Sequence, residues 1–139
     1  SGFYTFVSAE FVNDETIIIG QDTLVFPAGS DASDFVEPGL LGSAPCQDPA
    51  NAALELRSNF ESYYACLNET NSLKQGTWAV SPDRTTITLN LENPVVFAVF
   101  IENVSLQNNV LQGVITNLII PGTVPPKIVQ ANVTFNKVQ

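Results

Sequence analysis

The chain has 139 residues, 45% of them hydrophobic and 14% charged, a globular composition of a size that one core can serve. Its net charge is −9 and its pI about 4.1, and the five basic residues, Arg57, Lys74, Arg84, Lys127 and Lys137, are scattered singly. That pattern excludes the basic stripe a nucleic acid requires and any electrostatic attraction to an anionic membrane.

In chain order, Tyr4 to Phe11 alternates like a strand, with Thr5, Val7, Ala9 and Phe11 on one face, and Asn13-Asp14-Glu15 turns the chain. Thr16 to Ile19 and Thr23 to Phe26 read as short strands. From Pro27 to Pro45 the sequence is rich in Gly, Ser, Asp, Ala and Pro without periodicity, which predicts a long surface loop. Asp48 as N-cap with Pro49 at the first helical position predicts one helical turn. Leu54 to Arg57 then alternates, Ser58-Asn59 turns, and Ser62 to Cys66 returns as the partner strand.

Cys46 and Cys66 flank this hairpin and can come within bridging distance, so they are expected to form a disulfide, with two buried free thiols as the alternative. The bridge implies an oxidising compartment. Zinc binding is not expected from two thiols without histidine.

Gly76 to Val80, the turn Ser81-Pro82-Asp83-Arg84 and Thr85 to Leu91 form the clearest hairpin, since Pro82 presets a type I turn. The strand Val95 to Val104, opened by Asn93-Pro94, is apolar on both faces until Glu102, so both faces need cover. The apolar residues of the Pro27 to Pro45 loop, Phe35, Val36, Leu40 and Leu41, are the expected cover, with a second copy of the domain as the alternative. Asn108-Asn109 turns into Val110 to Ile120, and Pro121 to Pro126 leads into Ile128 to Val138, where Val129, Ala131, Val133 and Phe135 alternate with polar residues. No apolar run approaches the roughly 18 residues of a membrane-spanning helix. About eight sequential strands with no long helix predict one all-β domain over residues 1–139, an antiparallel up-and-down meander barrel.

The run from Pro45 to Leu91 resembles the lipocalin-like domains of secreted and lipid-anchored Bacteroidetes proteins. The residues that carry the likeness are Cys46, Asp48-Pro49, Leu54 to Arg57, Tyr63-Tyr64-Ala65-Cys66, Gly76-Thr77-Trp78, Ser81 to Arg84 and Thr86 to Leu91. In true lipocalins the Gly-x-Trp motif lies near the N-terminus, whereas here it is mid-chain. The resemblance implies a calycin-like barrel, export to the periplasm, the outer membrane or the exterior, and often a lipid anchor on an upstream cysteine. It implies no reaction.

Without histidine, Ser-His-Asp and Cys-His catalysis are impossible, and no nucleophile elbow, phosphate loop or dinucleotide fingerprint is present. Asp22, Asp48, Glu55 and Glu61 are the candidates for a glycosidase-like carboxylate pair, and Asp31, Asp34 and Glu37, which lack EF-hand spacing, for a loose Ca²⁺ site, with solvated surface as the alternative for each. No catalytic, metal or cofactor site is expected. Asn68, Asn103 and Asn132 head N-glycosylation triplets, and Asp22-Thr23-Leu24 resembles the O-glycosylation triplet of Bacteroidetes, at Thr23.

Trp78, Ile87, Leu89, Phe97, Val99, Val133 and Phe135 either line a ligand cavity or fill a packed core. The expected function is a non-enzymatic binding module, monomeric, for a small apolar or glycan-derived ligand. The alternatives are an assembly subunit of a cell-surface complex and, behind it, a carboxylate-dependent hydrolase.

Overall fold

The structure is a computed structural model that describes residues 2–93 and 96–138. Ten strands are present: β1 (Gly2–Phe11), β2 (Glu15–Ile19), β3 (Asp22–Phe26), β4 (Ala52–Leu56), β5 (Glu61–Cys66), β6 (Ser72–Val80), β7 (Ile87–Leu91), β8 (Phe97–Gln107), β9 (Val110–Ile120) and β10 (Lys127–Val138). Helix α1 (Ser33–Leu41) and a 3₁₀ turn (Pro49–Asn51) complete the fold. No helix among the described residues is long and apolar enough to cross a membrane.

Strands β4 to β10 form an antiparallel meander, and β1 closes the ring by pairing with both β10 and β4. The result is an eight-stranded closed barrel, the expected architecture. Closure leaves no terminal strand in the ring, although β1 pairs with β4 only over Gly2–Tyr4. The hairpin β2–β3 stands outside it as a separate two-stranded sheet.

The barrel interior follows from period-two patterning. Leu89 and Leu91 of β7, Val99 and Ile101 of β8, and Val129, Ala131, Val133 and Phe135 of β10 are all buried. Strand β1 departs from the expected alternation. Its register with β10 slips between Phe6 and Ser8, so Val7 is an extra residue and is exposed. Tyr4 and Phe6 precede the bulge and Ala9 and Phe11 follow it, all four in or against the core, so the inward set changes parity where a simple strand would not.

The segment Pro27 to Pro45 is not the structureless loop its composition suggested. It contains α1, whose i, i+4 pair Val36 and Leu40, together with Leu41, is buried. Pro38 and Gly39 in its middle hide the helical period. Proline in a helix interior costs about 3 kcal/mol by removing a hydrogen bond, and burial of the apolar face offsets this. At the start, the Asp31 carboxylate accepts hydrogen bonds from both the backbone N–H and the hydroxyl of Ser33. Phe35 packs edge-on against Phe11 of β1 (5.9 Å) and Phe26 of β3 (5.7 Å), fastening the helix to strand and hairpin.

Helix α1 therefore closes one end of the barrel, touching β1, β4 and β9, and does not lie over the outer face of β8 as expected. Val96 and Phe100 remain exposed, at 89% and 39%. The inner face, Phe97, Val99 and Ile101, is the one that packs. Of the expected strand opening, Pro94 and Val95 lie outside the described residues.

The turn at Pro49–Asn51 forms as expected, with the Asp48 carboxylate accepting from the Ala50 N–H at 3.0 Å. Cys46 and Cys66 are joined in a disulfide, S–S 2.08 Å, beside the hairpin β4–β5.

Candidate functional site

Two interruptions of the ladder shape the end of the barrel under α1. The register of β9 with β10 slips between Ile115 and Leu118, placing one extra residue in β9 at Thr116–Asn117. Pairing of β8 with β9 runs only from Ile101 and Ile115 toward the opposite end. Beyond that point the Asn117 side chain replaces the backbone ladder: its Oδ1 accepts from the Phe100 N–H at 3.1 Å and its Nδ2 donates to the Ala98 carbonyl at 2.8 Å. The two strands are thus held apart by the length of an amide side chain, which satisfies the Phe100 N–H and the Ala98 carbonyl of β8.

A cavity of about 480 Å³ opens between the parted strands and the helix. Phe35, Val36 and Leu40 of α1 form one wall. Phe97 and Val99 of β8 with Ile115, Leu118 and Ile119 of β9 form the other. Leu91 lies in the lining and Val96 is exposed at the rim. This size and apolar character match small-molecule sites, commonly about 300–1,000 Å³.

The helix wall is held from within the barrel. Gln75, fully buried at a bulge in β6, donates its side-chain amide to the Leu40 carbonyl at 3.2 Å. Its main-chain carbonyl accepts from the N–H groups of Glu92 (2.7 Å) and Asn93 (3.2 Å). The Tyr64 hydroxyl lies 2.8 Å from the Asn93 carbonyl and 3.2 Å from the Gly39 carbonyl, and its one proton serves one of them at a time. Burial raises the Tyr64 hydroxyl above its ordinary 10.0.

All seven residues expected to line a cavity or core face the same interior, but they divide between those two roles. Phe97 and Val99 line the cavity. Ile87, Leu89, Val133 and Phe135 are packed core, with Phe135 edge-on to Phe6 at 5.7 Å. Trp78 packs against the core, stacks on Phe60 at 5.1 Å and donates its indole N–H to the Arg57 carbonyl at 2.8 Å, so it locks the β4–β5 turn at the other end. The α1 wall was hidden by the loop reading, and Asn117 gave no sequence signal because its role depends on a bulge.

The carboxylates have other tasks. Glu55 pairs with Arg57 at 3.1 Å, whose guanidinium lies over the Tyr63 ring at 3.5 Å. Hydrogen bonds from Asn59 and Tyr63, with Lys74 beside them, hold Glu61 below the usual carboxylate range. Asp48 caps the 3₁₀ turn, and Asp22 opens β3, paired across the hairpin with Ile19. None of these four lines the apolar cavity. Asp31 is held low by its bonds to Ser33, and no group of three or more metal-ligating side chains occurs among the described residues. Thr23, Asn68, Asn103 and Asn132 are all exposed, and Asn103 and Asn132 share a shallow polar groove of about 330 Å³ outside the barrel.

No family model, curated protein or solved structure matches this chain.

Proposed function

We propose that this protein is a non-enzymatic binding module that holds one small apolar molecule between α1 and the parted strands β8 and β9. The observation that carries the reading is the apolar cavity itself. A chain able to seal its barrel with side chains instead spends a bulge and the amide of Asn117 on keeping two strands apart. Export and kinship with lipocalin-like proteins fit this reading. They are supported by the Cys46–Cys66 disulfide and the closed meander, and architecture alone assigns no ligand.

A second reading, a subunit of an assembly, is favoured by the apolar residues exposed around the same end, Val96, Val124 (98% exposed) and the cross-strand pair Ile119 and Ile128. Native mass spectrometry of freshly purified protein, with Nile red fluorescence on the wild type and on Phe97→Ala, separates the two. Binding predicts one bound molecule per monomer and a blue-shifted emission that Phe97→Ala weakens. A dimer without dye uptake would replace the first reading with the second.

A further inference from the structure

The charge around the cavity bears on the class of ligand, an inference that rests on the binding reading. Among the described residues that line it, Asp34 is the one titratable side chain, set in the first turn of α1 and exposed. No lysine or arginine lines the cavity. Lys74 is engaged by Glu61 at 3.4 Å and Glu92 at 3.9 Å, and Lys127 by Glu15 at 3.5 Å and the Thr16 carbonyl at 3.0 Å. A carboxylate ligand would therefore meet a negative group at the cavity and a chain of net charge −9, with no cation to receive it.

The hydrogen-bonding inventory points the same way. Pro38, also in the lining, has no N–H, so the helical bond from residue 38 to the Asp34 carbonyl is not made. The acceptor that Asp34 brings to the lining is its carboxylate. Asn117 accepts from Phe100 and donates one of its two amide protons to Ala98, so its second N–H adds a neutral donor but no charge. A ligand that donates hydrogen bonds and carries positive charge complements this lining.

We propose that the cavity selects apolar amines, taking the hydrocarbon part between α1 and β8–β9 with the ammonium against Asp34, and rejects the corresponding carboxylates.

The test uses decylamine and decanoate below their micellar concentrations and decanol below its solubility limit, titrated calorimetrically at neutral pH into the wild type, Asp34→Asn and Asp34→Lys. Decylamine should bind one per chain and be displaced by decanol, which shows that they share the apolar site. It should bind at least about tenfold tighter than decanoate at low salt, an advantage that shrinks toward 0.5 M salt as screening sets in. Asp34→Asn should cut the advantage severalfold and Asp34→Lys should invert it. If all three compounds bind the wild type equally, the amine selectivity is wrong while the binding reading stands. If decanol fails to bind and decylamine binds at several sites without competition, the binding reading itself falls, and the amine is only a counterion of an acidic surface.

Discussion

Gln75 reaches through the barrel interior to hold the C-terminal end of α1, its amide 3.2 Å from the Leu40 carbonyl. A strand residue thereby fixes a wall of the cavity that it does not itself line. Replacing it with leucine deletes this bond while keeping the volume. We expect a loss of about 1 kcal/mol of global stability and a larger relative effect on α1, whose amides should exchange faster by hydrogen-exchange mass spectrometry than those of β10. Uniform acceleration throughout the barrel would show that Gln75 serves the core and not the helix.

Gly76 stands where a Cβ would run into the Asn90 carbonyl oxygen of the neighbouring strand. The motif Gly76-Thr77-Trp78 thus begins with glycine for lack of space at the β6–β7 ladder. Gly76→Ala should cost about 1–3 kcal/mol, read as a lower urea midpoint, because backbone must move. Gly39→Ala, inside α1 where the space is open, serves as the contrast and should raise stability by about 0.5–1 kcal/mol through helix propensity.

The two faces of β8 should respond unequally to charge. Phe100→Asp, on the exposed face, should lower stability by no more than about 1 kcal/mol, whereas Val99→Asp, buried and without a partner, should cost several kcal/mol or prevent folding. Thermal melts of the two variants compare them directly. A severe loss in Phe100→Asp would mean that this face is covered in solution.

Those unequal expectations mark where the sequence was legible. Period-two alternation in β10 and the turn Ser81–Arg84 are local signals, and the barrel could be read from them. The seven apolar residues of the β8 region offered no way to choose a wet face, because only the curvature of the closed ring decides which side is inside. Helix α1 was concealed by Pro38 and Gly39, whose propensities are overridden by burial of Val36, Leu40 and Leu41. The cavity depends on the register slip at Asn117, a relation between strands that one strand's sequence does not carry.

Glu69 provides a pH signature. Its carboxylate accepts from the side chain of Asn51 at 3.0 Å and from the N–H groups of Gln47 (2.9 Å) and Asp48 (3.3 Å), tying the β5–β6 turn to the segment beside Cys46. These bonds favour the ionised form and hold Glu69 below its unfolded value of 4.5. The folded value is the lower one, so the stabilisation is present above 4.5 and is lost as pH falls through the folded value. Wild type should exceed Glu69→Gln in denaturant midpoint at neutral pH, and the gap should close in acid. A gap that persists unchanged in strong acid would assign the effect to packing.

The disulfide spans 20 positions, for which the chain-entropy model gives about 3 kcal/mol. Cys46→Ala with Cys66→Ala should lower the urea midpoint accordingly and leave the far-ultraviolet spectrum unchanged, since neither cysteine contributes to ring closure at β1. A collapse of that spectrum would show that the bridge is needed to form the barrel at all.

Phe3 and Val138 face each other across β1 and β10, at the end of β10 away from Val129 and the cavity. Anything joined to the chain before residue 2 or after residue 138 therefore departs from the floor of the barrel, both connections side by side. A tether at either point, whether to a lipid, a neighbouring domain or a solid support, attaches at the pole opposite Val96 and α1. Attachment there leaves the cavity, at the opposite pole, uncovered.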